Sequence, residues 1–585
     1  MRSSKRRRPF YTGWAVTFVM GCTPEAETPE PPPAELPAPA ESAFGSAPAV
    51  TRFLTQATFG PRPADVEALR GTSASAWFRN QLTISPSLLT PRVLRERARL
   101  GTPDEDGEAF GESVTLAFWN NTCRGPDQLR QRMAFALSQI FVVSNAPTEL
   151  LADIPDALSH YQDLLITGAF GNFHDLLTEV SYSPAMAYYL TYLGSEKADP
   201  ATGRRPDENY ARELMQLFTL GVEEIGLDGS SQPREGRTET YDNRDVTGLA
   251  KVFTGLGLVN PVPDEPWGAY PDSFRARLVF DASKHSSAAK SFLGTTIPAH
   301  TPGPESLRMA LDAIFAHPNV APFISRQLIQ RFVTSAPSPA YVSRVAQAFE
   351  RGQYDLPDGV GVGTGRRGDL AATLAATLFD TEARASAPAP SFGKVREPIL
   401  RLTAWVRAFD VSGITPLYIL PLYDTSRPQR LNQHPYRAPS VFNFFRPGYV
   451  ASGTLSGQAG RTAPELQIVN ASTIPAYANF IHEFIVRNPE SLGEGEREDL
   501  ADRGLDLVAA QNSFLPDYTS ELAFAANPPA LVEHLDGKLT YGTMSRTTHE
   551  RIVRALELVP AGEAERRVHV AVWMTMTTPE FLVQR

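Results

Sequence analysis

The most constraining feature of this sequence is a helical spacing of apolar residues that recurs from about residue 50 to the C-terminus. Apolar side chains three and four positions apart fall on one face of an α-helix. Proline and glycine turns separate the helical segments, and alternation typical of strands is scarce, with 277–280 the best candidate. We therefore predict a mainly α fold, a large multi-helix globular body with long Pro/Gly-rich loops and few short strands. The clearest predicted helices are 130–143, 156–167, 172–180, 246–253, 318–332 and 370–379.

Cysteine usage limits how such a body can be stabilised. The chain has 585 residues, of which 42% are hydrophobic, and only two cysteines, Cys22 and Cys123. Without a disulfide the body must be stabilised by burial of its core, and this length is ample for that. Cys123 lies between an aromatic segment and a turn, with no second cysteine and no nearby histidine. We predict that it is a buried, inert thiol rather than a nucleophile.

Residues 1–22 have the composition of an export leader. Five basic side chains in MRSSKRRR precede an apolar run over 10–20, which stops at Gly21-Cys22. The run is far shorter than the roughly 20 residues that cross a bilayer as a helix. Residues 19–22 resemble the lipobox of bacterial lipoproteins, in which the cysteine is acylated, although Met20 is unusual there. This resemblance implies lipidation at Cys22 and an extracytoplasmic, lipid-anchored location in the cell envelope, periplasmic or on the outer surface; the alternative is an ordinary leader cleaved nearby.

The segment 23–48 mixes proline and glutamate with almost no large apolar side chain. Proline-rich chains extend at about 3.1 Å per residue, and repulsion between glutamates opposes their collapse. We predict a disordered tether over 23–48 and a helical domain over 49–585, with a division into two lobes near residue 385 as an alternative arrangement. The formal net charge of −10 and the lack of a basic stripe argue against a nucleic-acid partner.

Several segments of the body resemble signature segments of a bacterial family called domain of unknown function 1800. The longest is PDENYARELMQLFTLG at 206–221, and the resemblance extends over nearly everything after the tether. Members of this family have no established activity, are typically exported, and are often encoded beside family 1501, which looks related to phosphatases and sulfatases. The resemblance therefore implies an exported protein, with such a phosphatase/sulfatase-like protein as one expected partner. The other matching segments are 52–61, 252–257, 284–294, 317–335, 393–401 and 438–449.

The segment 206–221 predicts a helix with a distinctive polar pattern. Asp207 can cap the helix, and Gly221 supplies a left-handed stop. Glu208 and Arg212 are four residues apart and can form an ion pair along the helix. If this helix is buried, the carboxylates of Glu208 and Glu213 need a partner, such as a metal, a substrate or another polar residue. The alternative is a solvated face with a helical salt bridge.

A second group of candidate residues lies in 284–294. His285 and Lys290 occur where the resembling family has a His-Asp, then Lys, then Leu-Gly pattern. Ser286 stands where the family commonly has aspartate, so one acid or ligand is missing. We also expect that Arg396, in an otherwise apolar segment, pairs with a buried carboxylate, Glu208 or Glu213.

Standard catalytic and metal-binding motifs are absent from the sequence: it contains no His-Glu-x-x-His, no paired Cys-x-x-Cys and no Gly-x-Ser-x-Gly. Two hypotheses follow. The first is a cell-envelope binding or assembly protein that presents its surface to a partner or a cell-surface polymer. The second is an extracytoplasmic enzyme, an acid/base or metal-assisted hydrolase, whose polar centre comprises Glu208, Arg212, Glu213, His285 and Lys290.

Overall fold

In a computed structural model, the protein consists of helices joined by turns and small hairpins. The structure describes residues 44–100, 108–146, 154–262, 271–386, 391–412, 424–486 and 514–585, with a few single positions between these ranges. The predicted leader with Cys22 and the predicted tether up to residue 43 lie outside the described residues. All described residues belong to one compact unit, and the two-lobe arrangement stays a prediction.

The mainly α prediction is confirmed. Two π-helical segments, Leu214–Thr219 and Asp536–Thr540, and three 3-10 segments, Lys251–Phe253, Pro271–Arg275 and Pro464–Ile468, accompany the α-helices. The described α-helices are Ala47–Ala57, Pro63–Leu69, Ala74–Thr83, Thr90–Leu100, Glu108–Arg124, Gln128–Ser138, Pro155–Gly168, Phe173–Ser181, Pro184–Tyr189, Asn209–Glu213, Asn243–Ala250, Gly303–Phe315, Val320–Phe332, Pro339–Arg351, Leu370–Phe379, Thr381–Arg384, Pro398–Ala408, Leu455–Gln458, Thr473–Ile485, Thr519–Leu522, Pro528–Leu535, Arg546–Glu557, Ala564–Met576 and Pro579–Leu582.

The strands in the described residues form four separate antiparallel pairs. They are β1 (Leu256–Gly257) with β2 (Val279–Phe280), β3 (Lys290–Phe292) with β4 (Thr295–Ile297), β5 (Gln353–Asp355) with β6 (Gly361–Gly363), and β7 (Lys394–Val395) with β8 (Val583–Gln584). The predicted strand at 277–280 is confirmed in its last two residues, as β2. The last pair joins the C-terminus to the middle of the chain.

Capping explains where the predicted helices begin. The helix Asn243–Ala250 starts before the predicted 246 because the Asp242 carboxylate accepts from the backbone N–H groups of Arg244 and Asp245, at 2.7 and 3.3 Å. Asp245 returns a bond to the Asp242 N–H at 2.8 Å, which completes a capping box. At the start of the body, Ser46 caps the helix Ala47–Ala57, so this helix begins two residues before the predicted start of the helical domain at residue 49.

The segment 206–221 differs from a regular helix. Its α-helical part stops at Glu213 and continues as the π-helix Leu214–Thr219, which ends before Gly221 at a φ of +76°. The side-chain amide of Asn319 donates to the Leu220 carbonyl at 3.1 Å, so a neighbouring helix satisfies the end of the widened turn. The predicted left-handed stop at Gly221 is confirmed, and the predicted single helix is wrong in its second half.

The core also contains an ion pair that joins two distant parts of the chain. The Lys394 ammonium contacts the Glu465 carboxylate, and each side chain is 1% exposed. The other Glu465 oxygen accepts from the Ser335 hydroxyl at 2.8 Å. Two of the segments that carry the family resemblance, 317–335 and 393–401, therefore meet at this pair. No helix among the described residues is long and apolar enough to span a bilayer.

Candidate functional site

The predicted ion pair on the helix Asn209–Glu213 is present and lies near the surface. An Arg212 guanidinium nitrogen is 3.5 Å from a Glu208 carboxylate oxygen, and both side chains are more than a third exposed. The other Glu208 oxygen accepts from the Thr247 hydroxyl at 2.9 Å, and Arg212 also donates to Asn243 at 3.4 Å. Both outer partners belong to the helix Asn243–Ala250, so this group joins two helices.

Glu213 has a different environment from Glu208. Its residue exposure is 6%, and its Oε2 atom has no hydrogen-bond partner among the described residues. Burial raises the pKa of this carboxyl, against the opposing charge of Arg212. Its charge in turn adds to the effect of burial on Tyr189, whose pKa rises to about 12. Glu213 is therefore a carboxyl that resists ionisation.

His285 and Lys290 are buried beside the hairpin β3–β4. The His285 Nδ1 atom is 2.7 Å from the Thr254 carbonyl oxygen, and Nδ1 donates there. Lys290 donates to the Ser286 carbonyl at 3.0 Å. Burial lowers the pKa of His285, with a further lowering by the charge of Lys290; burial and the charge of Lys251 lower the pKa of Lys290. Backbone carbonyls thus accept from both side chains, while the buried Nε2 atom of His285 has no hydrogen-bond partner among the described residues.

The helix Asn243–Ala250 contacts both of these predicted groups. Its Thr247 hydroxyl donates to Glu208, and its Asp245 carboxylate accepts from the Leu293 N–H at 2.8 Å after β3. A Cβ added to Gly248 would lie 1.8 Å from the Ser291 carbonyl oxygen, so the helix approaches β3 at backbone distance. The sequence candidates thus form two separate groups, Glu208 with Arg212 and Glu213, and His285 with Lys290. The helix Asn243–Ala250 contacts both groups.

The expected pairing of Arg396 with Glu208 or Glu213 is not formed between the described residues. The Arg396 guanidinium lies over the Phe581 ring, 4.6 Å from its centroid, and Glu208 pairs with Arg212 instead. Cys123 is buried, which confirms the predicted burial of this thiol, and burial raises its pKa to about 12, which disfavours the nucleophilic thiolate. Within the described ranges, no group of three or more His, Cys, Asp or Glu side chains is arranged to hold a metal ion.

The structure contains a concave site that the sequence did not predict. A pocket of about 370 Å³ lies between the start of the body, the end of the helix Pro398–Ala408 and the segment 533–538. Its wall is mostly apolar, with Arg62, Glu67, Glu533, His534 and Lys538 as polar groups. Volumes of 300–1,000 Å³ with a few polar groups in an apolar wall are typical of small-molecule sites. The apolar and neutral lining residues are Ala47, Pro48, Thr51, Pro61, Pro63, Val66, Ala408 and Gly537.

A buried carboxylate organises the polar side of this pocket. The Glu521 side chain is fully buried, and its Oε1 atom accepts from His534 Nε2 at 2.8 Å and from the Lys538 ammonium. The Ser520 hydroxyl donates to the same oxygen at 2.8 Å. The His534 ring also stacks on Phe524, with ring centroids 4.8 Å apart. We call Glu521, His534 and Lys538 the 521–538 cluster.

The charges of the 521–538 cluster favour an ionised Glu521. Burial alone would raise the pKa of this carboxyl, but the hydrogen bond from His534 and the charge and hydrogen bond of Lys538 outweigh burial and lower the pKa. Glu521 and Glu213 are thus both buried carboxyls, and their pKa values are shifted in opposite directions.

Two local structures shape the walls of the pocket. One is the turn at Gly60, and the other is the π-helix that carries Lys538. Gly60 has a φ of +125°, and a Cβ there would lie 2.7 Å from the backbone of Ala404, so the Gly60 turn packs directly on the helix Pro398–Ala408. Arg407 on that helix donates to the Gly60 carbonyl and pairs with Asp65 at 2.7 Å. The π-helix Asp536–Thr540 presents Lys538 on the other side, and π-helical turns often occur at functional sites.

Sequence reasoning missed the 521–538 cluster because its signal is weak. His534 and Lys538 are four residues apart, as on one helical face, and Glu521 is thirteen residues before His534. Apart from Glu533 and Gly537, the remaining pocket wall comes from residues more than a hundred positions away. A local pattern cannot show that these segments meet.

Comparison with family models gives a match over nearly the whole chain. The family described as "Protein of unknown function (DUF1800)" matches residues 52–583. The chain belongs to this family. The match covers both the segment 206–221 and the 521–538 cluster, so the DUF1800 body includes both sites. Comparison with curated proteins and with solved structures found no match.

Proposed function

We propose that this DUF1800 protein is an exported cell-envelope lipoprotein, anchored through Cys22, whose helical body binds a small and mostly apolar ligand in the pocket beside His534. The pocket carries the proposal, because a concave apolar wall of this volume with a few polar groups on one side is suited to a ligand with one polar end.

A test of ligand binding uses the uncharged fluorescent probe N-phenyl-1-naphthylamine and the folded protein without its leader. The wild type is expected to enhance probe fluorescence saturably, and Val66→Trp, which fills the pocket wall, to abolish the enhancement. Val279→Trp on β2 is the matched control, because Val279 is 49% exposed and is not among the pocket-lining residues. Equal enhancement in both variants would contradict binding in this pocket.

The proposed anchoring rests on the leader, the lipobox-like residues 19–22 and the Pro/Glu-rich segment after them. We expect the wild type to fractionate with membranes in its bacterial host and Cys22→Ser to appear in the soluble fraction. Cys123→Ser is the control, because this buried cysteine has no role in anchoring and its variant should stay with membranes. Membrane association of Cys22→Ser would contradict the lipid anchor.

The proposed partners follow from the same location. At the envelope, the ligand could be the apolar part of a cell-surface polymer, and the body could dock to a phosphatase- or sulfatase-like protein of family 1501. Copurification of a family 1501 protein with the wild type and with Cys22→Ser would separate direct docking, which both retain, from shared membrane location, which only the wild type retains.

A second candidate function is the predicted acid/base or metal-assisted enzyme, with Glu208, Arg212 and Glu213 in one polar group and His285 and Lys290 in the other. One observation favours it: burial raises the pKa of Glu213, as general acids require. Metal analysis of the purified protein, with Glu213→Ala and His285→Ala as controls, tests its metal-assisted version. Equal metal content in the wild type and both variants would contradict that version.

A further inference from the structure

We propose that the pocket beside His534 also hydrolyses small, uncharged apolar esters, with His534 as the general base that activates water. This inference rests on the proposed function, since the substrate must first bind in the pocket. Three features in and around the 521–538 cluster support it: the tautomer of the His534 ring, the third N–H donor of Lys538 and the apolar wall of the pocket.

The hydrogen bond to Glu521 sets the tautomer of His534. The Glu521 carboxylate can only accept, so the Nε2 atom 2.8 Å away carries the proton. A neutral ring then has its lone pair on Nδ1. No hydrogen-bond partner of Nδ1 is recorded in the described part of the chain, and the His534 side chain is 26% exposed and lines the pocket. The ring therefore presents a base to a water molecule in the pocket.

Lys538 can supply the charge that ester hydrolysis requires. Its ammonium has three N–H donors. Two of them contact Glu521 and the Ser520 hydroxyl, the latter at 3.3 Å. The ammonium also lies 5.0 Å from the centroid of the Phe409 ring, and its third N–H can donate to a ligand because Lys538 lines the pocket together with His534. A developing oxyanion beside this ammonium would be stabilised more strongly in the apolar pocket than in water.

The reaction balances with water as the only co-reactant. His534 Nδ1 takes a proton from water as the water oxygen forms a bond to the ester carbonyl carbon, and the carbonyl π electrons move to the oxygen beside Lys538. The tetrahedral intermediate then collapses. The bond to the alcohol oxygen breaks, and the His534 imidazolium returns the proton to the departing alcohol. The products are a carboxylic acid, which ionises in solution, and an alcohol, and Glu521 stays ionised throughout.

The lining defines the substrate class. The lining carboxylates Glu67 and Glu533 are matched in number by Arg62 and Lys538, so the mostly apolar wall decides, and it disfavours burial of a charged acyl chain. A short, neutral acyl group fits the volume of about 370 Å³. We therefore expect p-nitrophenyl butyrate to be a better substrate than p-nitrophenyl succinate, whose acyl chain ends in a carboxylate.

The experiment measures kcat/KM for p-nitrophenyl butyrate in the wild type, His534→Gln and the control His549→Gln. His549 lies on the helix Arg546–Glu557, outside the pocket lining. Loss of the general base is expected to lower kcat/KM by about 10²-fold or more, and His549→Gln to leave it unchanged. A p-nitrophenol burst would reveal an accumulating acyl-imidazole and would overturn general-base catalysis by His534.

Binding of N-phenyl-1-naphthylamine, measured in the same preparations, separates the two proposals. Probe binding without any difference in hydrolysis between the wild type and His534→Gln would overturn the hydrolase inference and leave the binding function intact. Absence of probe binding in the wild type would overturn both. If His534→Gln does not fold, Val66→Trp serves as the second variant: retained hydrolysis with the pocket filled would overturn the inference.

Discussion

The 521–538 cluster and the polar group on the helix Asn209–Glu213 contain similar side chains in different surroundings. In the 521–538 cluster, one fully buried carboxylate accepts from a histidine and a lysine that line a pocket. In the other group, Glu208 and Arg212 pair near the surface, while Glu213 is buried; the Oε2 atoms of both Glu213 and Glu521 have no hydrogen-bond partner among the described residues. Residue type alone therefore does not locate a site; the difference lies in which carboxylate is buried together with its partners and beside a cavity.

The largest expected effect tests this difference in burial directly. Glu521→Ala leaves Lys538 and His534 without their carboxylate, and loss of a buried partner costs about 3–5 kcal/mol. We expect the lower end of this range, because the Lys538 side chain keeps 15% exposure. Glu208→Ala removes only a half-exposed helical pair and should cost about 0.5 kcal/mol. Urea unfolding at pH 7 measures both, and equal losses would contradict the comparison.

The pH dependence of the unfolding free energy gives a further test of Glu521→Ala. The pKa of Glu521 is lowered in the folded state, so its contribution to stability is present above the ordinary glutamate pKa and is lost as the pH falls through the folded value. The gap in unfolding free energy between the wild type and Glu521→Ala should therefore narrow toward acid pH. A gap that stays constant would show that Glu521 contributes by packing alone.

The second effect separates the two regions by backbone packing. Gly248→Ala places a methyl group against the Ser291 carbonyl of β3 and should destabilise the protein by about 1–3 kcal/mol, as overpacking does. Gly257→Ala is the control, because a Cβ there would meet nothing within 4 Å. Thermal unfolding measures both. Probe binding in the distant pocket should survive in Gly248→Ala, and its loss would show that the two regions are coupled.

The third effect has the opposite pH dependence to that of Glu521. The pKa of Glu213 is raised in the folded state, so ionising it costs stability; this cost is absent below the ordinary glutamate pKa, grows as the pH rises from that value to the folded pKa, and is constant above it. Each unit of raised pKa corresponds to about 1.4 kcal/mol at neutral pH. Glu213→Gln should therefore be more stable than the wild type at pH 7 and similar to it at pH 4, as measured by urea unfolding. A variant less stable than the wild type at pH 7 would indicate a missing partner.

The smallest effect concerns the surface pair. Arg212→Ala should cost about 0.3–0.5 kcal/mol at low salt, and high salt should reduce the loss because both partners are half exposed. Thermal unfolding at two salt concentrations measures it. A loss above about 2 kcal/mol would instead make Arg212 part of a buried network with Glu213.

The sequence predicted the helices better than the site, for physical reasons. Apolar spacing located Leu370–Phe379 to the residue, and capping explains the start of Asn243–Ala250. The π-helix Leu214–Thr219 was missed because its end depends on Asn319, about a hundred residues later in the chain. The pocket depends in the same way on contacts between the start of the body and the segment 533–538. A local sequence pattern predicts where a single helix lies. It does not predict a helix end or a pocket that forms only where distant segments of the chain meet.

The central claim is that the pocket beside His534 is the ligand site. Hydrogen–deuterium exchange with and without N-phenyl-1-naphthylamine tests this claim most directly, because one experiment reports on the pocket and on the polar groups predicted from the sequence. The account predicts slower exchange on probe binding over 47–67 and 521–541, and unchanged exchange over 207–219 and 284–293. Protection of 207–219 or 284–293, with 47–67 and 521–541 unaffected, would contradict it.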